Sequence, residues 1–479
     1  VRPNAFLRSA LTLDGPLLAT NEILAWIRSR GEIHPLRVER VAFDELRQWS
    51  FEERSGDLVH QSGKFFRVHG ARVQSTLGDR GEWDQPIIDK PEIGILGIVA
   101  KEFDGVLHFL MQAKVEPGNI DGVQLTPTVQ ATRSNYTQVH QGARPPYVDY
   151  FLDRAHSSVL VDQLQPEQGS AFLQKRNRNI IVETTEDVPL SEEHQWMTLG
   201  QVKLLLRVPN LVSMDARTVL SCIPYLDHRA PALEIKAIAA EGLRPSDGAL
   251  QANAFGHALL TSLCEVGSTA HTDAQVMGWL TDLKCRHQLR VERIGLSDLR
   301  GWNRANTGIR HEEGGFFEVV AVRVEAGNRE VSAWDQPLIK PVEKGLAAFL
   351  VKEINGVLHF LAQGKIEPGN LDVVAVAPTV QFALGAEMVR DPATWPPFAD
   401  RVLGACDSDV CFSGVQSEEG GRFYHVENEY RVVRMAPEDD PELPDNYLWV
   451  SLRQLSDLLR YGLVNVEARS LLACLQLSE

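Results

Sequence analysis

Long apolar runs are missing from this chain. No stretch of 18 apolar residues occurs anywhere in its 479, so a helix that spans a bilayer is not expected. The N-terminal VRPNAFLRSALTLDG lacks a signal-peptide layout, and the expectation is a soluble, cytoplasmic protein with no membrane partner. Cysteine is scarce: the six residues at 222, 264, 285, 406, 411 and 474 form no CxxC pair. Neither a zinc site nor a disulfide framework is indicated. Cys222 and Cys474 fall inside apolar helical patterns, where a thiol acts as a small core hydrophobe. No GxGxxG follows a strand-like run, so no nicotinamide cofactor is expected. Positive charge is also in deficit, 48 Lys and Arg against 64 Asp and Glu, for a formal charge of −16. Such a surface repels polyanions, which excludes nucleic acid as the expected partner and leaves room for a small anion only where basic residues cluster.

What the chain does contain is ordinary globular material, 44% hydrophobic and 23% charged, written twice. HFLMQAKVEPGN at His108 to Asn119 returns as HFLAQGKIEPGN at His359 to Asn370, an offset of 251 residues. Read as a strand, it places His108, Leu110, Gln112, Lys114 and Glu116 on one side and Phe109, Met111, Ala113 and Val115 on the other. The second copy repeats the split with His359, Gln363, Lys365 and Glu367. A strand serving packing alone has little reason to align an imidazole, an amide, an ammonium and a carboxylate. Length alone would suggest about three domains, but the repeat makes it two. The first copy spans 1–225, a connector 226–262, and the second copy 263–479.

Taken in order, Thr20 and Thr272 are positioned to cap helices. LRVERVAFDELRQW and LRVERIGLSDLRGW then match at an offset of 253. WDQP appears at Trp83 to Pro86 and at Trp334 to Pro337. Asp104-Gly105 and Asn355-Gly356 predict tight hairpins into the central strand. EPGN supplies a turn, to which Gly118 and Gly369 are assigned for geometry alone. A third strand follows, with Pro127 and Pro378 marking an edge or bulge. Ser213 and Asn465 fit N-caps of closing helices. Between Pro224 and about Ser262 nothing repeats. The fold class is α+β: two tandem mixed α/β copies, each around an antiparallel meander.

Together WDQP, GVLHFLMQAKVEPGN, PTVQATRSNYTQVH and EQGSAFLQKRNRN resemble the NDP-hexose 2,3-dehydratases, over most of the chain and including its duplication. The resemblance implies a dTDP-4-keto-6-deoxyglucose substrate, a place in making deoxysugars for glycosylated antibiotics, a tandem Nudix-like fold and a homodimer. The chain departs from Nudix hydrolases in having no REXXEE segment. Without that metal-binding helix neither a metal nor diphosphate cleavage is expected, and the reaction needs no cofactor.

Such a dehydration needs a base for the hydrogen on carbon 3, an acid for the hydroxide leaving carbon 2, and a stabiliser for the enolate oxygen. The repeat indicates where these sit. Both copies keep Trp83 or Trp334, the His-Gln-Lys-Glu face and the glutamine of PTVQ, Gln130 in the first copy, which suits fold or nucleotide binding. Only the first keeps Arg133, Ser134, Asn135, Tyr136 and His140, and it has Lys175, Arg176, Asn177, Arg178 and Asn179 where the second has Val426, Glu427, Asn428, Glu429 and Tyr430. One working site in the first copy is therefore expected, with a degraded second pocket around Trp334, Gln363, Lys365 and Glu367. Lys114 beside Glu116 is assigned to the keto oxygen, with a strand-bracing ion pair as the competing reading. Tyr136 and His140 are the acid–base candidates, with a solvated helix as the alternative. His108 reads as a structural histidine. Lys175, Arg176 and Arg178 suit the diphosphate, and Trp83 the thymine. A nucleotide-sugar hydrolase and a non-catalytic binding module remain alternatives.

Overall fold

The computed structural model describes residues 5–78, 81–136, 144–153, 155–225, 254–265, 267–326, 332–383 and 395–477. Each copy contributes a seven-stranded sheet. In the first the order is Ser158–Pro166, Arg176–Glu183, Gly94–Phe103, Val106–Val115 and His194–Thr198, with two short strands attached. The central hairpin turns as its sequence predicts, Asp104 and Gly105 both adopting positive φ of 49° and 78°, as Asn355 and Gly356 do at 54° and 78°. The meander is flanked by one parallel pair, Arg176–Glu183 against Gly94–Phe103, so the sheet is mixed. Alternation then sorts the core. Phe109 and Met111 pack with Val202, Leu205 and Val219 of the closing helices, while Leu110 packs on the other face with Val99, Ile180 and Trp196.

One departure from a regular sheet positions the chemistry. Gly94–Phe103 and Val106–Val115 pair only as far as Val99 and Leu110. Beyond that point they splay, and the chain after Pro127 is wedged between them. Val123–Thr126 pairs with Val106–Val115, and Val129–Ala131 pairs with Gly94–Phe103. At the apex the Thr128 hydroxyl accepts from Val99 N at 3.0 Å and donates to Leu110 O. Proline suits this break because it cannot donate to a ladder. The predicted third strand is thus two strands on two arms of a V, and Thr379 closes the same apex in the second copy.

The copies are not self-contained. Leu36–Val41 pairs with Glu318–Ala326 of the second copy, and Leu289–Ile294 pairs with Arg67–Ser75 of the first. Each exchanged strand carries a latch. Trp302 Nε1 donates to Asp84 O at 2.7 Å, and Arg300 grips the Asp84 carboxylate, which Arg72 also holds. Trp49 and Arg47 do the same to Asp335. Burial would raise the Asp84 carboxyl, but the two guanidiniums hold it far below the usual range. The aspartate of WDQP therefore clasps the other copy. At the pseudo-two-fold axis, buried Arg217 donates to Ser417 O at 2.6 Å and buried Arg469 to Pro166 O at 2.6 Å.

Three expectations need correction. The repeat starts earlier than Ser262: Ser9 Oγ donates to Leu107 O at 2.5 Å and Ser262 Oγ to Leu358 O at 2.5 Å. Ala254–Cys264 is thus the counterpart of the opening helix Ala5–Leu11, hidden because only small and apolar residues align. Thr20 is the first residue inside its helix, with Ala19 at the cap and Glu22 accepting from Ala19 N at 2.8 Å; Thr272, Ser213 and Asn465 do cap. Gly118 and Gly369 do more than turn. Each EPGN turn docks on the other copy, Gly118 N donating to Gly420 O at 2.7 Å and Gly369 N to Gly169 O at 2.6 Å.

Candidate active site

The splayed sheet puts Lys114 on one arm of the V and Gln130 on the other, and the ammonium bridges them. Lys114 Nζ donates to Gln130 Oε1 at 2.7 Å and lies 2.7 Å from Glu116 Oε1. Gln130 Nε2 in turn donates to Asp215, in the first turn of the helix that Ser213 caps. A lysine has three protons to donate, so one remains for a third acceptor. Burial first, and the nearby carboxylates of Glu419 and Glu167 next, push Asp215 well above the ordinary carboxyl range against the pull of Lys114 and Gln130. Asp215 is thus a carboxyl of raised pKa, one link from the lysine.

The site is charged and crosses between copies. Glu167, buried beneath Asn177 Nδ2, is raised to about 7 by burial and by Glu419, against Arg469, Lys175 and Asn177. Lys175 donates to Glu92 O, and its ammonium is lowered by burial and by Arg422. Half-buried Lys90 is pushed down to about 7 by burial and by the same Arg422 and Lys175. Four cations, Lys90, Lys114, Lys175 and Arg422, therefore face four carboxyls, Glu116, Glu167, Asp215 and Glu419. Glu419 and Arg422 come from the second copy, on the segment that receives the Gly118 turn.

The symmetry-related place in the second copy is poorer in charge and wired differently. Where the first site has Lys90, Lys175 and Arg422, it has Pro341, Val426 and Ala171. Lys365 donates to the backbone oxygen of Gln381 at 3.1 Å, and the Gln381 side chain is taken by Glu367 and Asn465 at 3.2 and 2.8 Å. The lysine–glutamine–acid link is replaced. Asn465, standing where Ser213 does in the first copy, is long enough to capture that glutamine.

The remaining candidates divide. Gln112 lies on the Lys114 face and is partly exposed. Arg133 to Tyr136 form a short helix directly after the Gln130 strand. Tyr136 packs against the cluster that includes Leu110, Ile180 and Val182 and influences Arg178 electrostatically. Nothing is described of the side chains of Ser134 and Asn135, and His140 lies outside the described residues. The KRNR run splits by alternation: Lys175 and Asn177 face the charged site, while Arg178 is held by both oxygens of Asp162 at 2.7 Å. Arg176 lies on that other side too. His108 sits six residues up the strand from Lys114, about 20 Å away, completely buried against Phe103; burial lowers its imidazole. It is structural, as is His359.

Trp83 stands apart. It lines an open pocket of about 750 Å³ with Arg300, Trp302, Phe316 and Phe317, at the far end of Glu82–Asp89 from Lys90. Asp215, Glu167, Lys90, Glu419 and Arg422 do not emerge from the sequence as site residues. Signals for two of them exist, Lys90 against Pro341 and Arg422 against Ala171, but they have meaning only for a site that both copies build together.

The family model described as NDP-hexose 2,3-dehydratase matches residues 20–223 and 273–475. A dTDP-4-dehydro-6-deoxy-alpha-D-glucopyranose 2,3-dehydratase of Saccharopolyspora spinosa is 45% identical over 471 residues, covering 98% of this chain and 94% of its own. Proteins of the same description from Amycolatopsis orientalis and Streptomyces violaceoruber are 44% and 43% identical, covering 98% and 94% of this chain and 92% and 96% of their own.

Proposed function

The chain belongs to the NDP-hexose 2,3-dehydratase family, and from that premise we propose that it removes water across carbons 2 and 3 of dTDP-4-keto-6-deoxyglucose at the site around Lys114. The single observation that carries the placement is the Lys114–Gln130–Asp215 link beside a cation cluster that the place around Lys365 lacks. The free proton of Lys114 takes the keto oxygen on carbon 4. Its charge stabilises the enolate that forms as a base removes the carbon 3 hydrogen, an effect typically worth about 10² to 10³ in rate. An acid then protonates the hydroxide leaving carbon 2, which departs as water. The resulting enol tautomerises to the 3,4-diketo-2,6-dideoxy sugar.

Tyr136 and His140 serve as acid and base, supported by the short Arg133–Tyr136 helix following directly on the Gln130 strand. Glu116 and Gln130 fix the ammonium, and Asp215 holds the Gln130 amide in place. Gln112, Arg133, Ser134 and Asn135 contact the sugar. Lys175 and Asn177 lie on the diphosphate side, with Arg176 and Arg178 on the opposite face of the same strand. A cytoplasmic homodimer with a Nudix-like fold in each copy, working in the biosynthesis of deoxysugar-bearing antibiotics, completes the reading; the mixed sheet with one parallel pair is in keeping with it. Among the described residues no helix is long and apolar enough to cross a membrane.

Proton NMR of the protein with dTDP-4-keto-6-deoxyglucose in deuterated water with EDTA tests this. Loss of the carbon 3 hydrogen with deuterium entering carbon 2 is expected. An unchanged sugar means a binding module, and dTMP released only after Mg²⁺ is added means a hydrolase.

A further inference from the structure

The two copies carry their lysine on equivalent backbone and wire it differently, so the cause lies in side chains. Ser213 N donates to Leu125 O at 2.9 Å and Asn465 N to Val376 O at 2.8 Å, while Leu125 N and Val376 N donate to Leu211 O and Leu463 O, each at 2.8 Å. Both residues cap a helix from extended backbone, with φ and ψ of −60° and 156° at Ser213 and −69° and 169° at Asn465. Their cap bonds match too: Ser213 Oγ accepts from Ala216 N at 3.2 Å and Asn465 Oδ1 from Ala468 N at 3.0 Å. Serine ends at the atom that caps. Asparagine has a second polar atom, and its Nδ2 donates to Gln381 Oε1 at 2.8 Å.

The other bonds follow from that capture. In the first copy Gln130 Oε1 accepts from Lys114 Nζ at 2.7 Å, Gln130 Nε2 goes to Asp215, and Glu116 stands 2.7 Å from the ammonium. In the second copy Gln381 Oε1 is taken by Asn465, and Gln381 Nε2 points to Glu367 at 3.2 Å, the carboxylate that corresponds to Glu116. Lys365 is left with the backbone oxygen of Gln381 at 3.1 Å. Glu467 corresponds to Asp215 and is one methylene longer, and among the described residues its Oε2 is buried without a hydrogen bond. Burial first, then Glu367 and Glu418, raise it to about 8 against the pull of Lys365. Acid length is thus the other difference at this helix end. It leaves the glutamine's oxygen untouched, whereas the asparagine takes the very atom that holds the lysine in the first copy.

We propose that residue 213 is a positioning residue for Lys114. A serine there caps the helix without reaching Gln130, and an asparagine in the same place turns the glutamine away from the lysine and silences the site. This rests on the dehydratase reading. Serine and asparagine cap helices about equally well, so exchanging them tests the wiring with the fold held constant. For Ser213→Asn in the full chain, kcat with dTDP-4-keto-6-deoxyglucose falls about 10- to 100-fold, because a misplacement of about 1 Å can cost about 10² in rate. KM stays within about threefold, and the urea midpoint stays near wild type. Ser213→Ala shows the opposite pattern, a lower midpoint with kcat within about fivefold. A cap that served the helix alone would order the two variants the other way. A crystal structure of Ser213→Asn shows Gln130 Oε1 on the introduced amide and Gln130 Nε2 on Glu116.

Wild-type kcat in Ser213→Asn, or a Lys114–Gln130 bond kept in its crystal structure, overturns the assignment. So does redirection of Gln130 by Asp215→Glu and not by Ser213→Asn, since acid length is then the cause. If Ser213→Asn does not fold, the crystal structure of Asn465→Ser decides the matter: Gln381 Oε1 returns to Lys365 Nζ, and a Lys365 that stays on the Gln381 backbone overturns the proposal. A wild-type protein that leaves the sugar unchanged removes only the dehydratase reading, because the crystal structures of the variants still read the wiring.

Discussion

Replacing Gly118 by alanine should cost more than any turn argument allows. Gly118 does not need a positive φ, so backbone strain contributes nothing. The cost comes from contact: an added Cβ meets Phe423 O at 1.5 Å and Gly420 O at 2.8 Å. Backbone cannot swing aside as a flexible side chain can, so the two copies must part by about 2 Å to reach ordinary van der Waals separation. That breaks the bonds from Gly118 N to Gly420 O and from His425 N to Gly118 O, 2.7 and 3.0 Å long. Two hydrogen bonds at about 0.5–1.5 kcal/mol each and overpacking of about 1–3 kcal/mol give a loss of about 2–6 kcal/mol. Urea unfolding of the full chain measures it, taking the first transition because a chain of this size need not unfold in one step. Gly369→Ala should lose a similar amount, since its Cβ position is 1.7 Å from Phe172 O. Gly278→Ala is the control: nothing lies within 4 Å, it is inside a helix, and it should gain about 0.8–1 kcal/mol. If Gly118→Ala stays within about 0.5 kcal/mol of wild type, the close approach of the copies is wrong.

Lys114→Met should lower kcat by about 10² to 10³ in the sugar NMR assay, while Lys365→Met, in the cation-poor counterpart, should stay within about fivefold of wild type. Glu167 has its pKa raised from 4.5 to about 7, so the folded state holds a proton that the unfolded chain releases. Its stabilising contribution is therefore full below pH 4.5 and lost as pH rises to about 7. Denaturation midpoints should fall over that window, and Glu167→Gln should flatten the fall; a midpoint that rises across it in wild type and is unaffected by Glu167→Gln would refute the assignment. Thr128→Val leaves Val99 N without its acceptor at the apex of the V and should destabilise by about 1–3 kcal/mol, measured by the same urea assay. Asp84→Asn, which leaves Arg300 and Arg72 without their shared carboxylate, should cost about 3–5 kcal/mol, whereas Glu82→Gln at the exposed end of the same strand should change the midpoint little.

Much of each copy was legible because its signals are local. The Asp-Gly and Asn-Gly hairpins, the caps Thr272, Ser213 and Asn465, the break at Pro127 and the polar face led by Lys114 are set by residues within a few positions of one another. What sequence could not supply was partnership. The exchanged strand LRVERV reads as a strand whichever sheet it joins, and its pairing with the other copy is a property of three dimensions. Arg422 drew no attention in the sequence because it belongs to the other copy, yet it is brought beside Lys90 and Lys175. The buried acids Asp215 and Glu167 were hidden differently. Nothing in a sequence separates a carboxyl that will be walled off beside Glu419 from one that will face water.

The exchange of Leu36–Val41 and Leu289–Ile294 also says what kind of object a single repeat would be. Taken alone, a half would present an unfilled sheet edge and an unclasped aspartate, and would be completed only by another half. Expressed as two polypeptides divided between residues 226 and 253, the halves should recover activity on mixing and show little when apart. A stand-alone forerunner of the repeat would then have been an obligate homodimer with two identical reaction centres, each borrowing from its neighbour. Joining the pair into one gene made it possible to mutate one half without the other. The loss of cations around Lys365 and the gain of Arg422 are then two results of the same release from symmetry.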